Sequence, residues 1–334
     1  MPVVPSGVGA QVGFAKETTF GTYAAASRFL KLTSSPLERK PDRVQAGGLN
    51  AGLLVDEDAR YVEVARHAEG SVEGPVMPTG FGLLFQQAFG AAATPAQQGG
   101  TAAYLQTHTL VDLYGMSSSW QVGVPSIANQ TSNPYTMLGA KVKSIEFTQE
   151  AKGLLTVKVE LWGQDLVESQ TLVAATYTGT SEVPFNHSQW ACKVGTFGSE
   201  AAVVGVRKWS LKIEWKMKDD LDYANSGGLA AQPVTNDRVS IGGSITADNV
   251  DKTVWADRFA NNTGFSLVNQ WVGANIAPTY DRKLTITTPR CRLTGNTPTV
   301  GGLDVVSGEF PYEAKYDGTN QPVTLAYQTP DTTL

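Results

Sequence analysis

The sequence contains few cysteines and no long hydrophobic run. Only Cys192 and Cys291 occur among 334 residues, which is too few for a disulfide framework, and neither has the Cys-x-x-Cys spacing of zinc or redox sites. We therefore expect two buried free thiols. No segment approaches 18 consecutive apolar residues, and the start shows no basic stretch followed by an apolar run. These features predict a protein that is made in the cytoplasm, remains soluble and does not enter a membrane.

The sequence also has little charge and few histidines. Charged residues make up 17% of the chain and the net charge is −5, so no general attraction to nucleic acid or to an anionic membrane is expected. His67, His108 and His187 have no carboxylate or cysteine at ligand spacing. The acidic clusters at 56–59 and 218–222 lack the alternating oxygen ligands of a calcium loop. We predict no enzyme activity, no metal and no cofactor.

The sequence is instead rich in glycine and in segments whose polar and apolar residues alternate. With 34 glycines and 41% hydrophobic residues, the composition is typical of a mainly β, loop-rich globular protein. The segment 135–165 predicts a long hairpin that turns at 151–153. Its second strand alternates, with Val157, Val159 and Leu161 on one face and Thr156, Lys158 and Glu160 on the other. Such a strand has one face for a core and one for water.

Short segments recur in the same order in both halves of the chain. Val12 and Gly13 correspond to Val194 and Gly195, and "HAEGSVEG" at 67–74 corresponds to "SIGGSITA" at 240–247. A charged strand ending in Gly-Gly-Leu lies between these segments in each half. Short amphipathic helices are then predicted within 79–90 and 251–262. The final hairpin, with Gly153 and Leu154, is matched near Gly302 and Leu303.

This order predicts an internal duplication. We assign residues 1–165 to a first domain with longer loops, 166–182 to a linker, and 183–334 to a second domain. The additional length of the first domain falls in 91–106 and 125–136, whose small, polar, Pro- and Gly-containing residues predict loops.

The segment "RKWSLKIEWKMK" at 207–218 alternates lysines with aromatic and aliphatic residues. Basic and aromatic residues together can bind single-stranded nucleic acid. Here most of the lysines lie on the face opposite the aromatic residues, so an amphipathic strand with packed aromatics is favoured. For the seven tryptophans of the chain, packing is likewise favoured over a carbohydrate-binding platform.

The succession of these elements resembles the major tail tube protein of long-tailed, non-contractile bacteriophages. The resemblance is carried by "GFAKETTFGT", "RFLKLTSSPLE", "SVEGPVMPTGFGLLFQQAFG", "THTL" and "YTMLGAKVKSIEFTQEAKGLLTVKVELWG". It implies β-sandwich or half-barrel domains, each with one short flanking α-helix and an extended hairpin loop. It also implies synthesis in the host cytoplasm and a place in the virion, in rings that stack into a tube. The implied partners are further copies of the chain, a tape measure protein, a tail terminator and distal tail proteins, with double-stranded DNA passing through unbound.

Many tail tube proteins carry one such domain and form rings of six chains. Two tandem domains would close a pseudo-sixfold ring with three chains, which we favour over six chains that each use one domain. About four strands per domain give about 24 strands, and at roughly 4.8 Å spacing and about 40° tilt the wall is about 48 Å across. After side chains, an opening of about 35–40 Å remains, which is wider than a DNA duplex of roughly 20 Å.

The resemblance and the alternation together suggest two functional surfaces. We expect Thr156, Lys158 and Glu160 to face either the lumen or the exterior of the tube wall. We expect a loop at 44–60 to contact the next ring, through Val44, Gln45, Leu49, Asp56, Glu57, Asp58 and Arg60. The alternative function is a tandem β-sandwich adhesion or receptor-binding module. A β-sandwich hydrolase would need paired carboxylates on neighbouring strands.

Overall fold

The computed structural model describes residues 6–48, 52, 54–126, 132–178, 182–248, 252–295 and 307–334. They form a mainly β protein, as predicted. The strands before residue 170 are β1 (Gln11–Lys16), β2 (Arg28–Phe29), β3 (Leu37–Gln45), β4 (Tyr61–Pro75), β5 (Ala96–Gln97), β6 (Tyr104–Thr109), β7 (Ser118–Pro125), β8 (Ser132–Glu150), β9 (Thr156–Gly163) and β10 (Asp165–Val167). Those after residue 185 are β11 (Trp190–Thr196), β12 (Ser199–Ala202), β13 (Val206–Glu214), β14 (Met217–Lys218), β15 (Val234–Thr235), β16 (Ser240–Asp248), β17 (Phe265–Ala277), β18 (Tyr280–Leu293), β19 (Ser307–Ala314) and β20 (Thr324–Thr329).

The predicted hairpin and its two faces are confirmed. Strands β8 and β9 are antiparallel neighbours, and the chain turns between them with Lys152 at a φ of 64°. Val157, Val159 and Leu161 are at most 2% exposed, whereas Lys158 is exposed. The apolar side of β9 therefore seals a core while its polar side stays accessible.

Eight antiparallel strands form a continuous series, which we call the central run: β3, β4, β9, β8, β13, β16, β19 and β18. The series crosses from the first half of the chain to the second between β8 and β13. Seven residue pairs make this seam, from Lys208 opposite Glu150 to Glu214 opposite Ser144. The two halves therefore share one hydrogen-bonded ladder.

The strands of the two halves pair in the same order. In the first half the order is β1, β7, β8, β9, β4 and β3, and in the second it is β11, β17, β18, β19, β16 and β13. With 67–74 aligned on 240–247, Val72 corresponds to Ile245; Val72 lies opposite Val159 and Ile245 lies opposite Phe310, so the registers make Val159 and Phe310 counterparts. The domain bounds remain predictions, and β10 spans the expected bound at residue 165. Gly302 and Leu303 lie outside the described residues.

A second seam corrects the prediction of loops at 91–106 and 125–136. Strand β5 and the start of β6 lie in the first segment, and β8 begins within the second. Strand β6 pairs with β20 of the second half, with His108 opposite Leu325. The partner strand lies more than 200 residues away along the chain. The composition of 91–106 alone therefore does not predict β6.

Both predicted helices are present, as α1 (Gly82–Phe89) and α2 (Ala256–Ala260). The prediction that α1 is amphipathic is wrong, because all eight of its residues are buried. The second half of the chain encloses it: Trp215 Nε1 donates to the Ala88 carbonyl oxygen at 2.9 Å, and the ring of Tyr327 lies 5.4 Å from that of Phe85. In contrast, α2 contains no buried residue.

One hydrophobic cluster extends through both halves. At the seam, Trp271 Nε1 donates to Gln149 Oε1 at 2.9 Å, and the Trp209 ring lies 5.6 Å from the Trp271 ring. The expected packing of tryptophans is confirmed for six of the seven: Trp120, Trp162, Trp209, Trp215, Trp255 and Trp271 are buried. Cys192 and Cys291 are buried free thiols, as predicted, and burial raises the pKa of each to about 12.

His108 is a buried titratable group beside α1. Its side chain is fully buried between Phe85 and Phe89, and its ring nitrogens have no hydrogen-bond partner among the described residues. Desolvation lowers the pKa of this imidazole to about 3. The folded protein therefore holds His108 neutral, whereas the unfolded chain gains its proton near pH 6.5.

We predict that His108 weakens the fold as the pH falls. Between about pH 6.5 and about pH 3 the unfolded chain binds one proton more at this site, so the free energy of unfolding decreases by up to about 1.4 kcal/mol per pH unit. Urea unfolding from about pH 7.5 to about pH 5 should show a shallower pH dependence for His108→Leu than for the unmodified protein. Equal slopes would contradict the prediction.

Candidate functional surfaces

One face of the central run carries a polar surface that crosses the seam. Glu73, Lys158, Glu146 and Lys212 lie on β4, β9, β8 and β13, and each is the direct cross-strand partner of the next. Direct partners point to the same side of a sheet, so charges of opposite sign alternate along this row. We call this surface the polar face. Its further members are Ser71, Ser144, Thr148, Glu150, Thr156, Glu160, Lys208, Ser210, Glu214, Ser244, Thr246, Glu309 and Glu313.

The opposite face of the same strands is apolar and buried. Val159, Ile145, Ile213 and Ile241 follow one another as cross-strand partners on β9, β8, β13 and β16. The first three are fully buried, and Ile241 is 7% exposed. Trp209, Leu211, Ile213 and Trp215 of the 207–218 segment are buried on this side, which confirms the prediction of an amphipathic strand, whereas Met217 is half-buried in β14. The buried apolar side and the polar face are therefore the two sides of one sheet.

The polar face is acidic, and two of its three lysines form ion pairs with carboxylates. Lys208 Nζ lies 2.6 Å from Glu150 Oε1, and this hydrogen bond raises the pKa of Lys208. Lys158 Nζ lies 3.7 Å from Glu160 Oε1. Glutamates outnumber lysines on this face. Exposed ion pairs contribute little to stability, so their main effect here is on the field above the sheet.

The three residues expected on the tube wall lie together on this surface. Thr156, Lys158 and Glu160 occupy alternate positions of β9, and Ser144 Oγ of the neighbouring strand donates to Glu160 Oε2 at 2.9 Å. The sequence pattern of β9 was enough to group these residues. Their cross-strand neighbours on β13 could not be predicted in this way, because the sequence of either strand alone does not determine the register between β8 and β13.

The far ends of β3 and β4 pair with each other, and we call these ends and the described residues that connect them the arm (residues 43–48, 52 and 54–64). Val44 and Val62 are cross-strand partners there, and both are about half exposed. At the tip, Leu54 is 98% exposed. A two-stranded hairpin is marginally stable by itself, and exposed apolar residues at this density indicate a contact surface.

The arm contains the residues expected to bridge rings. The prediction of a loop starting at residue 44 is corrected, since Val44 and Gln45 belong to β3. A short 3-10 helix begins at Asp58 and ends at Arg60, and Arg60 Nε lies 2.7 Å from Glu57 Oε2. Asp56 lies in the connecting segment, and Leu49 is outside the described residues. Tyr61, Val62 and Val64 were missed, although two valines at alternate positions beside a predicted loop are a usable signal.

Within the described part of the chain, no three histidine, cysteine or acidic side chains are placed to hold a metal ion. None of the helices described is both long and apolar enough to cross a bilayer. The extended ladder, with one buried face and one charged face, places the chain in the class of mainly β proteins. The polar face and the arm are therefore the candidate functional surfaces.

The chain matches the family model for phage tail tube proteins over residues 7–314. It therefore belongs to the phage tail tube protein family, as the resemblance predicted, and this is a family of structural tail proteins and not of enzymes. No curated protein matches the chain. Membership implies a place in the virion tail and self-assembly into a tube together with other tail proteins.

Proposed function

We propose that this chain forms closed rings that stack into a tail tube, the conduit through which DNA is ejected into the host. We further propose that the two halves are tandem domains and that three chains complete a ring. The observation that carries the proposal is the central run, which crosses both halves without interruption and keeps a single polar face.

The strand count supports a ring of three chains. Each half contributes four strands to the central run: β3, β4, β9 and β8 from the first, and β13, β16, β19 and β18 from the second. Three chains then supply about 24 strands, and at roughly 4.8 Å spacing and about 40° tilt these enclose a wall about 48 Å across. The opening that remains is wide enough for duplex DNA.

The polar face is the surface we assign to the lumen, including Thr156, Lys158 and Glu160. An excess of carboxylates repels phosphate, and lysines held near Glu150 and Glu160 offer little net positive charge to the DNA backbone. Tight DNA binding depends on cations that neutralise phosphates. A wall of this kind lets DNA slide through without being retained.

The arm is the surface we assign to the contact between rings. Its valines and Leu54 are exposed in the single chain, and stacking would bury them. Gln45, Asp56, Glu57, Asp58 and Arg60 would surround this apolar centre with polar groups, which is the usual composition of a protein interface.

Electron microscopy of the purified protein tests the assembly. We expect negatively stained tubes, and end-on class averages that show threefold symmetry with six lobes. A monodisperse monomer that persists at high protein concentration would contradict tube formation. True sixfold symmetry with six chains per ring would contradict the three-chain stoichiometry alone.

Charged substitutions on the arm should stop stacking without unfolding the chain. Leu54→Asp with Val62→Asp places two carboxylates at the proposed ring contact, where burial without partners is unfavourable. We expect unchanged circular dichroism and a loss of tubes in micrographs. Val204→Asp is the matched control, because Val204 is also exposed, at 71%, but lies outside the arm. If Val204→Asp abolishes tubes to the same extent, the arm has no specific role in stacking.

Lysines introduced on the polar face should make the tube retain DNA. Glu146→Lys with Glu160→Lys replaces two carboxylates by cations, so assembled tubes should hold a short fluorescent duplex, and release should increase with salt. The control, Glu168→Lys with Asp222→Lys, adds the same charge at exposed positions outside the polar face and the arm. If both pairs retain the same amount of duplex in a filtration assay, the polar face does not line the lumen.

A further inference from the structure

We propose that residues 215–239 are a second arm, which each chain holds down on its own first half by a latch at Lys141. One arm per chain is then left to stack rings, so a ring of three chains stacks through three arms and not six. This inference rests on the proposed tube and identifies a segment that takes no part in stacking.

The second arm occupies the same place in its half of the chain as the arm does in the first. Lys40 lies opposite His67, and Glu214 lies opposite Ser240. Because the aligned segments match His67 with Ser240, Lys40 corresponds to Glu214. The connection between the paired positions has 26 residues in the first half and 25 in the second, and both connections contain the sequence Gly-Gly-Leu. The two segments are therefore counterparts of nearly equal length.

The two arms differ in the apolar residues that they expose. Among its described residues, the arm exposes six large apolar side chains, which are Val44, Leu54, Val55, Tyr61, Val62 and Val64. The second arm lies wholly within the described residues, and Tyr223 is its only exposed large apolar residue. Exposed apolar residues mark contact surfaces, so the second arm offers little for a further ring to bury.

The second arm lies against β4, where a glycine allows the close approach of two backbones. The Arg66 N–H donates to the Gly228 carbonyl oxygen at 2.9 Å, and Arg66 and Leu229 form a parallel bridge. Gly228 has a φ of 78°, and a Cβ at this position would lie 3.0 Å from the Val64 carbonyl oxygen. A residue with a side chain would be strained there. The middle of the second arm is therefore fitted to the backbone of the first half.

Lys141 is the centre of the latch. Its side chain is 2% exposed, and Nζ donates to the Leu113 carbonyl oxygen at 2.6 Å. Gln232 of the second arm presents its amide oxygen to two donors, the Gly115 N–H at 2.7 Å and Lys141 Nζ at 2.9 Å. Burial lowers the pKa of Lys141 to about 8, and the charge of Asp112 opposes this shift. One enclosed ammonium group thus joins β8, the segment before β7 and the second arm.

Two further contacts flank the latch. Thr235 Oγ1 donates to Asp112 Oδ1 at 2.9 Å, and Lys143 Nζ lies 3.1 Å from Asp219 Oδ2. The second of these pairs is partly exposed, and exposed ion pairs contribute little to stability. Removing a partner from a buried charge costs more, so we expect the contact between Lys141 and Gln232 to hold the second arm most strongly.

Hydrogen exchange of the full chain tests the latch. Gln232→Ala with Thr235→Val removes two side chains that tie the second arm to the first half, so its amides should exchange at least about tenfold faster. Strands β13 and β16 should exchange as in the unmodified protein. Gln98→Ala with Thr101→Val is the matched control, because it removes the same side chains and their hydrogen bonds from another surface segment. Unchanged exchange in the second arm of the first variant would contradict the latch.

A reversible disulfide tests whether the second arm stays down in the tube. Paired strands lie about 4.8 Å apart, so the bridge partners Arg66 and Leu229 are within disulfide range as Arg66→Cys with Leu229→Cys. Cys192 and Cys291 are buried and should not compete. We expect oxidised chains to form as many tubes as reduced chains. Loss of tubes on oxidation and recovery on reduction would overturn the proposal, and failure of the disulfide to form would place the second arm away from β4.

Charged substitutions separate this inference from the proposed function. Tyr223→Asp with Ala224→Asp adds two carboxylates at exposed positions of the second arm and should leave tubes unchanged, whereas Leu54→Asp with Val62→Asp should abolish them. If both variants abolish tubes with unchanged circular dichroism, both arms stack and the inference is wrong, although the proposed tube stands. If the unmodified protein forms no tubes, the proposed function fails, and the exchange of the second arm still decides the latch.

Discussion

The structure depends on the pairing of β8 along both of its edges. Its first part lies between β7 and β10, and its second part lies between β9 and β13. One strand of 19 residues therefore joins β7 and β10 to β9 and to the seam with the second half. Because backbone hydrogen bonds make the seam, the two halves are joined as strongly as neighbouring strands within either half.

The alternation of side chains then fixes the seam register. A slip of one residue between β8 and β13 would turn every side chain of one strand to the opposite face. Ile145 and Ile213 would no longer pack together, and Glu146 would no longer oppose Lys212. Burial on one face and charge pairing on the other therefore favour the same register. The polar face is continuous for this reason, although two distant parts of the sequence supply it.

Local patterns predicted the elements well and their long-range partners poorly. The alternation at 156–161, both helix positions and the recurring order of segments follow from nearby residues. The pairing of β6 with β20 does not follow from nearby residues, since the sequence of neither strand indicates which distant strand it will pair with. The complete burial of α1 was missed for the same reason, because Trp215 and Tyr327 that cover it lie far along the chain. In the arm, β3 extends further than expected because β4 continues the ladder to Gln45.

Among the described residues β4 is the only strand that pairs with β3, which leaves the other edge of β3 open, and Pro41 has no backbone N–H. The open edge is consequently short. In the proposed ring, a single weak edge would give little affinity for a first neighbour, whereas the last chain to enter would gain two contacts at once, the second at high effective concentration. Assembly of the proposed ring would therefore be slow to nucleate and would favour completed rings. This behaviour would keep newly made chains apart until an initiating surface presents the first ring.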